Sequence, residues 1–342
     1  MGIDMIFRLM NKHKLLVVMY HGITTKTYDP PIWTQLPLQT FRKQLDFLES
    51  NYTCVSLGDV ISAIRTSTPL PERSVLLTFD DGIRNNFSVA FPELQKRGLP
   101  AAIFLTVDYI GTGKFLWADE LLLLLQQAAS LKISPCLPDS VAQHYFQMGE
   151  VWKAYEITVE SLKRAGKERR ESELARLRSM VPLDHRPLLE DFGILTWDEI
   201  HAMKRSGLID FGVHTATHRI LTELTEDEWE KEIAFPKLNL EAALETEISA
   251  FCFPNGRPGD DFTGEHMDYL RKTNYSCAFS TDKKLFVWPG GDCMSIGRIA
   301  GYEGELGPAY FRLNASGTVR FVKDMVSRLK GQIPPALEGV RR

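Results

Sequence analysis

The chain has no uninterrupted apolar run approaching the about 18 residues that a membrane-spanning helix requires. Its longest leucine run, 121–125, is far shorter. The first ten residues include Asp4 and Arg8 and no extended apolar core, so they do not resemble a secretory leader. Cysteine is scarce. The five residues Cys54, Cys136, Cys252, Cys277 and Cys293 contain no CxxC pair, which excludes a cysteine-based zinc knuckle and fits small hydrophobes in a reducing cytoplasm. Positive charge is not in excess: 40 Lys and Arg stand against 44 Asp and Glu, a net charge of −4 that argues against nucleic acid as a partner. With 24 Gly and 18 Pro, scattered, there is no low-complexity segment, and no internal repeat is visible. What remains is ordinary globular composition, 44% hydrophobic and 25% charged.

Apolar runs alternate with amphipathic stretches. Runs at 15–20, 52–55, 74–79, 101–107, 209–213, 249–253 and 277–280 read as strands, and helical spacing marks 40–50, 59–65, 87–97, 268–272 and 318–329. Two capping boxes, Thr196 with Glu199 and Thr225 with Glu228, open helices expected to reach Ser206 and Leu244. Strands alternating with helices build right-handed βαβ units and a parallel sheet. The expected fold is α/β, a distorted (β/α) barrel with mostly parallel strands; an open doubly wound sheet is the alternative.

The alternation fails at 113–195, which holds no convincing strand. This stretch reads as a helical insertion on one barrel loop, with an apolar helix at 117–129 and a charged one at about 141–180, lying over the site or beside the barrel. From Lys163 to Arg178 there are seven basic and three acidic residues, the mixture of a solvated helix face, with an anionic partner or membrane surface as the other reading. The expected organisation is one catalytic domain over 1–331, the insertion at 113–195 within it, and a flexible tail at 332–342.

Four segments stand at the carboxyl ends of expected strands, where parallel barrels gather functional groups. Thr78-Phe79-Asp80-Asp81-Gly82 places two carboxylates directly after a buried run, although Asp-Asp-Gly is also a common turn. His214-Thr215-Ala216-Thr217-His218 puts two imidazoles four apart, able to share one metal ion from the same side of a helical turn. Phe251-Cys252-Phe253-Pro254-Asn255-Gly256 is either a plain turn or a loop that offers a backbone N–H to an oxyanion. Met19-Tyr20-His21-Gly22 closes the first strand with a lone histidine. Two histidines and an aspartate are the ligand types of a catalytic zinc site, and a further carboxylate beside them is a natural general base.

These segments resemble the polysaccharide deacetylases of carbohydrate esterase family 4. Leu77-Thr78-Phe79-Asp80-Asp81-Gly82 matches that family's first motif and His214-Thr215-Ala216-Thr217-His218 its second, in the same order, over about residues 15–299 outside the insertion. The resemblance implies Asp80 as catalytic base and Asp81, His214 and His218 as ligands of one divalent metal, zinc first, with cobalt, nickel or iron able to substitute. Pro254-Asn255 matches the third motif, so the Asn255 N–H would hold the oxyanion. Many members carry an arginine where this chain has Cys252; Arg298 would take over at the substrate and oxyanion side of the site, orienting the catalytic aspartate. The usual late Leu-x-His motif is missing, since no histidine follows His266. The Met-Tyr-His-Gly segment resembles that of the biofilm poly-N-acetylglucosamine deacetylases, which assigns the proton donor to His21.

The implied reaction is metal-dependent removal of an N-acetyl group from an amino sugar that is polymeric, lipid-linked or nucleotide-linked, with release of acetate. The alternatives are another amide hydrolase on the same scaffold, a deformylase or cyclic-imide hydrolase, and a catalytically inactive sugar-binding relative. The expected partner is an N-acetylated carbohydrate. The expected location is cytoplasmic, with peripheral contact at the inner membrane face as a variant.

Overall fold

The structure, a computed structural model, describes residues 2–301 and 307–331; the tail expected at 332–342 lies outside them. The strands in chain order are β1 (Lys14–Tyr20), β2 (Gly22–Thr24), β3 (Gln35–Pro37), β4 (Thr53–Cys54), β5 (Ser74–Phe79), β6 (Ala101–Leu105), β7 (Ile209–Val213), β8 (Ala250–Cys252), β9 (Cys277–Phe279), β10 (Phe286–Val287) and β11 (Ile299–Ala300). The main sheet runs β1-β5-β6-β7-β8-β9 with each neighbouring pair parallel. β10 pairs antiparallel with the start of β1. The sheet curls until its ends nearly meet. Ile296 bridges Phe279 of β9, and a few residues later β11 pairs in parallel with Val18 and Met19 of β1. The result is a distorted (β/α) barrel closed by a short segment that carries Arg298.

The strand runs are apolar throughout because both faces are buried. In β1, Leu15 and Val17 belong to the interior cluster with Phe104 and Phe279, whose rings lie 5.2 Å apart. Leu16, Val18 and Tyr20 face the other way, toward the helical layer, where Tyr20 meets Phe41 of helix Leu38–Asn51. Each such side chain is worth about 1.5–3 kcal/mol when buried, so a one-residue slip would disrupt two filled cores at once.

Two helices depart from expectation in the same way. Residues 87–97 form a π turn, Asn86–Ala90, and then the helix Phe91–Arg97. The second capping box opens a short helix, Glu226–Trp229, which passes through a π turn, Glu230–Ala234, into Phe235–Leu244. Pro92 and Pro236 explain both: a proline has no N–H to give the preceding turn and its ring clashes there, and a wider turn relieves both problems. The strand expected at 52–55 shrinks to β4, and the helix expected at 268–272 starts earlier, Gly264–Lys272, behind a Thr263–His266 capping box. The helices Ile3–Met10 and Gly307–Ala315 were not legible in the periodicity. No helix among the described residues is long and apolar enough to cross a membrane.

Between β6 and β7 stand the helices Trp117–Ser130, Ser140–Gln147, Val151–Arg164 and Gly166–Met180. The single charged helix expected at about 141–180 is therefore three helices. The chain breaks at Gly149 (φ 82°) and Gly166 (φ 80°), left-handed angles that glycine takes at no steric cost. The solvated-face reading of 163–178 needs correction at Arg170, while Arg178 stays exposed as expected and pairs inward. Arg170 is buried with its guanidinium 4.9 Å from the Trp117 ring centroid, and Arg178 donates two 2.6 Å hydrogen bonds to the buried carboxylate of Glu120. Leu121 through Leu125 fill a core of the insertion's own. Asp191, near its end, fastens it to the barrel loops by accepting from Tyr28 Oη (2.6 Å) and Asn85 Nδ2 (3.1 Å) and pairing with Lys26 (2.7 Å).

Candidate active site

β5 is buried along its whole length, and the Asp80 N–H extends its ladder by one bond to the Tyr20 carbonyl (2.9 Å). The next two residues turn sharply, with φ of 71° at Asp81 and 74° at Gly82. A Cβ at Gly82 would stand 2.7 Å from Leu105 Cδ2, so the turn needs glycine for space as well as angle. The turn sends the adjacent carboxylates to different neighbours. Asp80 meets Arg298, whose Nη1 and Nη2 donate to its two oxygens at 2.6 and 2.7 Å. Arg298 is 1% exposed and is also held by the Ser280 carbonyl (3.1 Å) and Thr78 Oγ1 (3.3 Å). Burial alone pushes the Asp80 carboxyl up; the guanidinium more than offsets this and holds it below its ordinary 3.8.

Asp81 faces the histidines. Its Oδ1 lies 3.4 Å from His214 Nε2 and 3.2 Å from His218 Nε2, and among the described residues no hydrogen bond reaches this buried oxygen. The histidines leave the end of β7 in a turn rather than a helix, because Thr215 and His218 take φ of 62° and 60°. His214 Nδ1 lies 2.8 Å from the Cys252 carbonyl, which can only accept, so Nδ1 carries the proton and Nε2 presents a lone pair. Three donors at bond lengths of about 2.05 Å around a tetrahedral ion stand about 3.3 Å apart. The observed 3.2 and 3.4 Å edges and the orphaned oxygen fit such an ion. Asp80, His214 and Cys252 form a second cluster of ligand types. It is the poorer candidate: Asp80 is committed to Arg298, and burial pushes the Cys252 thiol well up, away from thiolate.

Asn255 follows β8 in a turn with φ of 58°, and its N–H makes no hydrogen bond among the described residues, while its carbonyl accepts from Thr281 Oγ1 (2.7 Å). His21 follows β1 with its ring edge-on to Trp33, centroids 4.8 Å apart. Burial holds its imidazole below the ordinary 6.5, although Asp81 and Asp80 pull the other way. Asp80, Asp81, His21, His214, His218 and Asn255 all line one cavity of about 400 Å³. Arg298 does not line it; it stands behind Asp80. The insertion forms the far wall, contributing Trp117, Trp152 and Tyr155, and so lies over the site rather than beside the barrel.

Three residues carry parts of this arrangement without a sequence signal of their own. The Cys252 thiol donates to Asp80 Oδ1 at 3.5 Å, where the resemblance had led to an arginine. Glu232, in the π turn, accepts from the Thr217 N–H (3.0 Å) and hydroxyl (2.6 Å), bracing the loop between the two histidines. The turn that the proline widens is what aims this carboxylate, so Pro236 was the available clue. Asp119, from the insertion, is 7% exposed, lines the cavity and has no hydrogen-bond partner among the described residues. Burial, and then the charge of Asp81, push its carboxyl up to about 7.

The chain spans only part of the curated relatives it matches. It is 28% identical over 175 residues, 50% of this chain and 58% of the other, to the poly-beta-1,6-N-acetyl-D-glucosamine N-deacetylase of Staphylococcus epidermidis. To the Escherichia coli K12 protein of that name it is 32% identical over 87 residues, 25% of this chain and 13% of the other. Among solved structures, IcaB from Ammonifex degensii superposes with a TM-score of 0.56 at 18% identity, covering 90% of this chain and 97% of that one. A polysaccharide deacetylase from Bacillus cereus superposes at 0.57, also at 18% identity, covering 88% and 69%. These likenesses concern the fold. The family model described as polysaccharide deacetylase matches residues 67–278, which contain both aspartates, both histidines and Asn255, and on that match the chain belongs to the polysaccharide deacetylase family.

Proposed function

We propose that the protein is a metal-dependent N-deacetylase acting on an N-acetylated amino sugar. The observation that carries this reading is the pair of adjacent aspartates split between two tasks, one locked to Arg298 and the other facing two imidazole nitrogens at metal-ligand spacing. Asp81 Oδ1, His214 Nε2 and His218 Nε2 are the atoms that would hold a divalent ion, with zinc favoured by the mixed nitrogen and oxygen set. Such an ion supplies Lewis acidity toward the acetyl carbonyl and a water acidic enough to ionise near neutral pH.

The protein's own groups do the rest. Asp80, kept anionic by Arg298, accepts a proton from the attacking water. The free Asn255 N–H donates to the carbonyl oxygen as negative charge grows on it. His21 delivers a proton to the departing nitrogen, which leaves as the free amino sugar beside acetate. Trp33, Trp117 and Trp152 offer the apolar faces against which a sugar ring packs, and polar side chains on the same walls, among them Asp119, Glu156 and Lys163, are placed to fix its orientation.

The test is a substrate panel: N-acetyl sugars, N-formyl sugars, O-acetyl esters and cyclic imides, with acetate, formate and ring-opened product measured separately. Acetate from N-acetyl sugars as the fastest reaction supports the proposal. Faster formate release or ring opening transfers the reading to another amide hydrolase, and binding of sugar with no turnover of any substrate transfers it to an inactive relative.

A further inference from the structure

Of the seventeen large hydrophobic side chains exposed among the described residues, nine lie on two helices, Ile3–Met10 and Thr318–Gly331. The helices touch through Phe7 and Phe321, whose rings are 5.0 Å apart. On the first, Phe7 turns inward while Ile3, Ile6 and Leu9 recur every third residue on the outside. On the second, every residue from 320 to 328 is exposed; Phe321 rests against Phe7 on one side and is still half exposed, and with Val322, Met325 and Val326 it forms an apolar stripe that stays open to solvent. A helix of this length gains most of its stability from packing of its apolar face, and here that face is open.

The charge around the stripe is predominantly positive. Residues 2–14 and 318–328 together carry six basic and two acidic residues, a net +4 in a chain whose overall charge is −4. Arg8 pairs with Asp4, Lys12 with Glu72, and Arg320 with Asp324 and Asp282, so part of this charge is matched, but Lys323 and Arg328 have no acidic partner among the described residues. A second copy of the chain would bring two such faces together and set like charges against each other. The segment 332–342 adds Arg341 and Arg342 against Glu338 and has the same sign. An anionic lipid surface offers what neither does, an apolar layer beneath negative headgroups.

We propose that the two helices form a membrane-docking face that lays its apolar stripe into an anionic lipid surface. Ile3–Met10 leads into β1 at the end opposite His21, about 20 Å away along the strand at 3.3 Å per residue. A protein held this way keeps its catalytic mouth turned from the lipid, toward substrate in the aqueous phase. The inference stands on the helices alone and is independent of the reading of the active site.

The test is sedimentation of the full chain with vesicles of phosphatidylcholine alone and vesicles rich in phosphatidylglycerol. The wild type should pellet with the second and not the first, and added salt should weaken binding. The double variants Ile6→Ser with Leu9→Ser, and Phe321→Ser with Met325→Ser, should each lower the partition constant by roughly tenfold or more, and Lys323→Glu with Arg328→Glu should do the same for anionic vesicles only. Circular dichroism and deacetylation of a soluble substrate, both unchanged, show that the variants are folded. No pelleting with either vesicle overturns the proposal, as does wild-type binding by both apolar variants. A dimer in light scattering that the apolar variants abolish, with no vesicle binding, overturns it in favour of a second copy.

Discussion

Asp80→Asn changes one atom in the pair that links the barrel closure to the site. The asparagine keeps one oxygen for Arg298 and loses the second acceptor and the charge. Arg298 then stands 1% exposed with no counter-charge, its guanidinium met by neutral acceptors alone: the retained amide oxygen, the Ser280 carbonyl and the Thr78 hydroxyl. Breaking a buried ion pair by neutralising one partner costs about 3–5 kcal/mol, and the retained oxygen places this case near the lower end. Against a typical total of about 5–15 kcal/mol, the variant stays folded at room temperature with a Tm lowered by several degrees. Its catalytic loss is a separate quantity. Removing a general base costs about 10²–10⁴-fold in kcat, and the metal ligands are untouched. The assays are acetate release at saturating substrate, elemental analysis, and thermal unfolding of the same preparations. Activity within tenfold of wild type refutes Asp80 as the base. Loss of the metal along with the activity refutes the division of roles between Asp80 and Asp81.

Other consequences follow from neighbouring contacts. His21→Gln should leave metal content unchanged and depress turnover of N-acetyl substrates far more than of O-acetyl esters, whose alkoxide leaves without help; undiminished amide turnover would pass the proton-donor role to Asp119, the cavity carboxyl that burial pushes up to about 7. Because the folded His21 pKa lies below 6.5, the unfolded chain takes up this proton first, so stability falls as pH drops from 6.5 toward the lower folded value; urea unfolding across that window should show a weaker pH dependence in His21→Gln, and an identical slope contradicts the burial argument. Glu232→Ala removes two hydrogen bonds from the loop between the histidines and should weaken metal binding by about tenfold or more, the usual scale for outer-shell support; an unchanged metal Kd sinks that role. Asp191→Asn should cost about 1–3 kcal/mol and raise proteolysis within 113–195 first, whereas uniform cleavage across the chain would show that this contact is not what fastens the insertion.

The parallel barrel and its four candidate strand ends were legible because both signals are local: apolar runs of strand length, and side chains within a residue or two of where they stop. The segments that hold His21, Asp80, Asp81, His214, His218 and Asn255 could be picked out from that pattern, and the family resemblance then supplied the role expected of each. What could not be read is whatever depends on chain reversal or on partners far along the sequence. The charged segment looked continuous because its periodicity survives Gly149 and Gly166, whose left-handed angles split it into three helices. The apolar walls that the insertion gives the cavity depend on the reversals those glycines allow. Glu232 had no motif, since its role needs a π turn that only the backbone geometry at Pro236 produces. Asp119 and Cys252 acquire their significance from burial beside other groups, which no spacing encodes.

The central claim is that Asp81, His214 and His218 hold a divalent ion without which the N-acetyl bond is not cleaved. The most direct measurement is acetate release from an N-acetylated glucosamine oligomer by chelator-stripped protein titrated with zinc, alongside His214→Ala and His218→Ala. The account predicts no release from the stripped protein, full recovery at about one ion per chain, and no recovery in either variant at that ratio. Undiminished release from protein shown by elemental analysis to carry no metal, or full recovery in both variants, would contradict it.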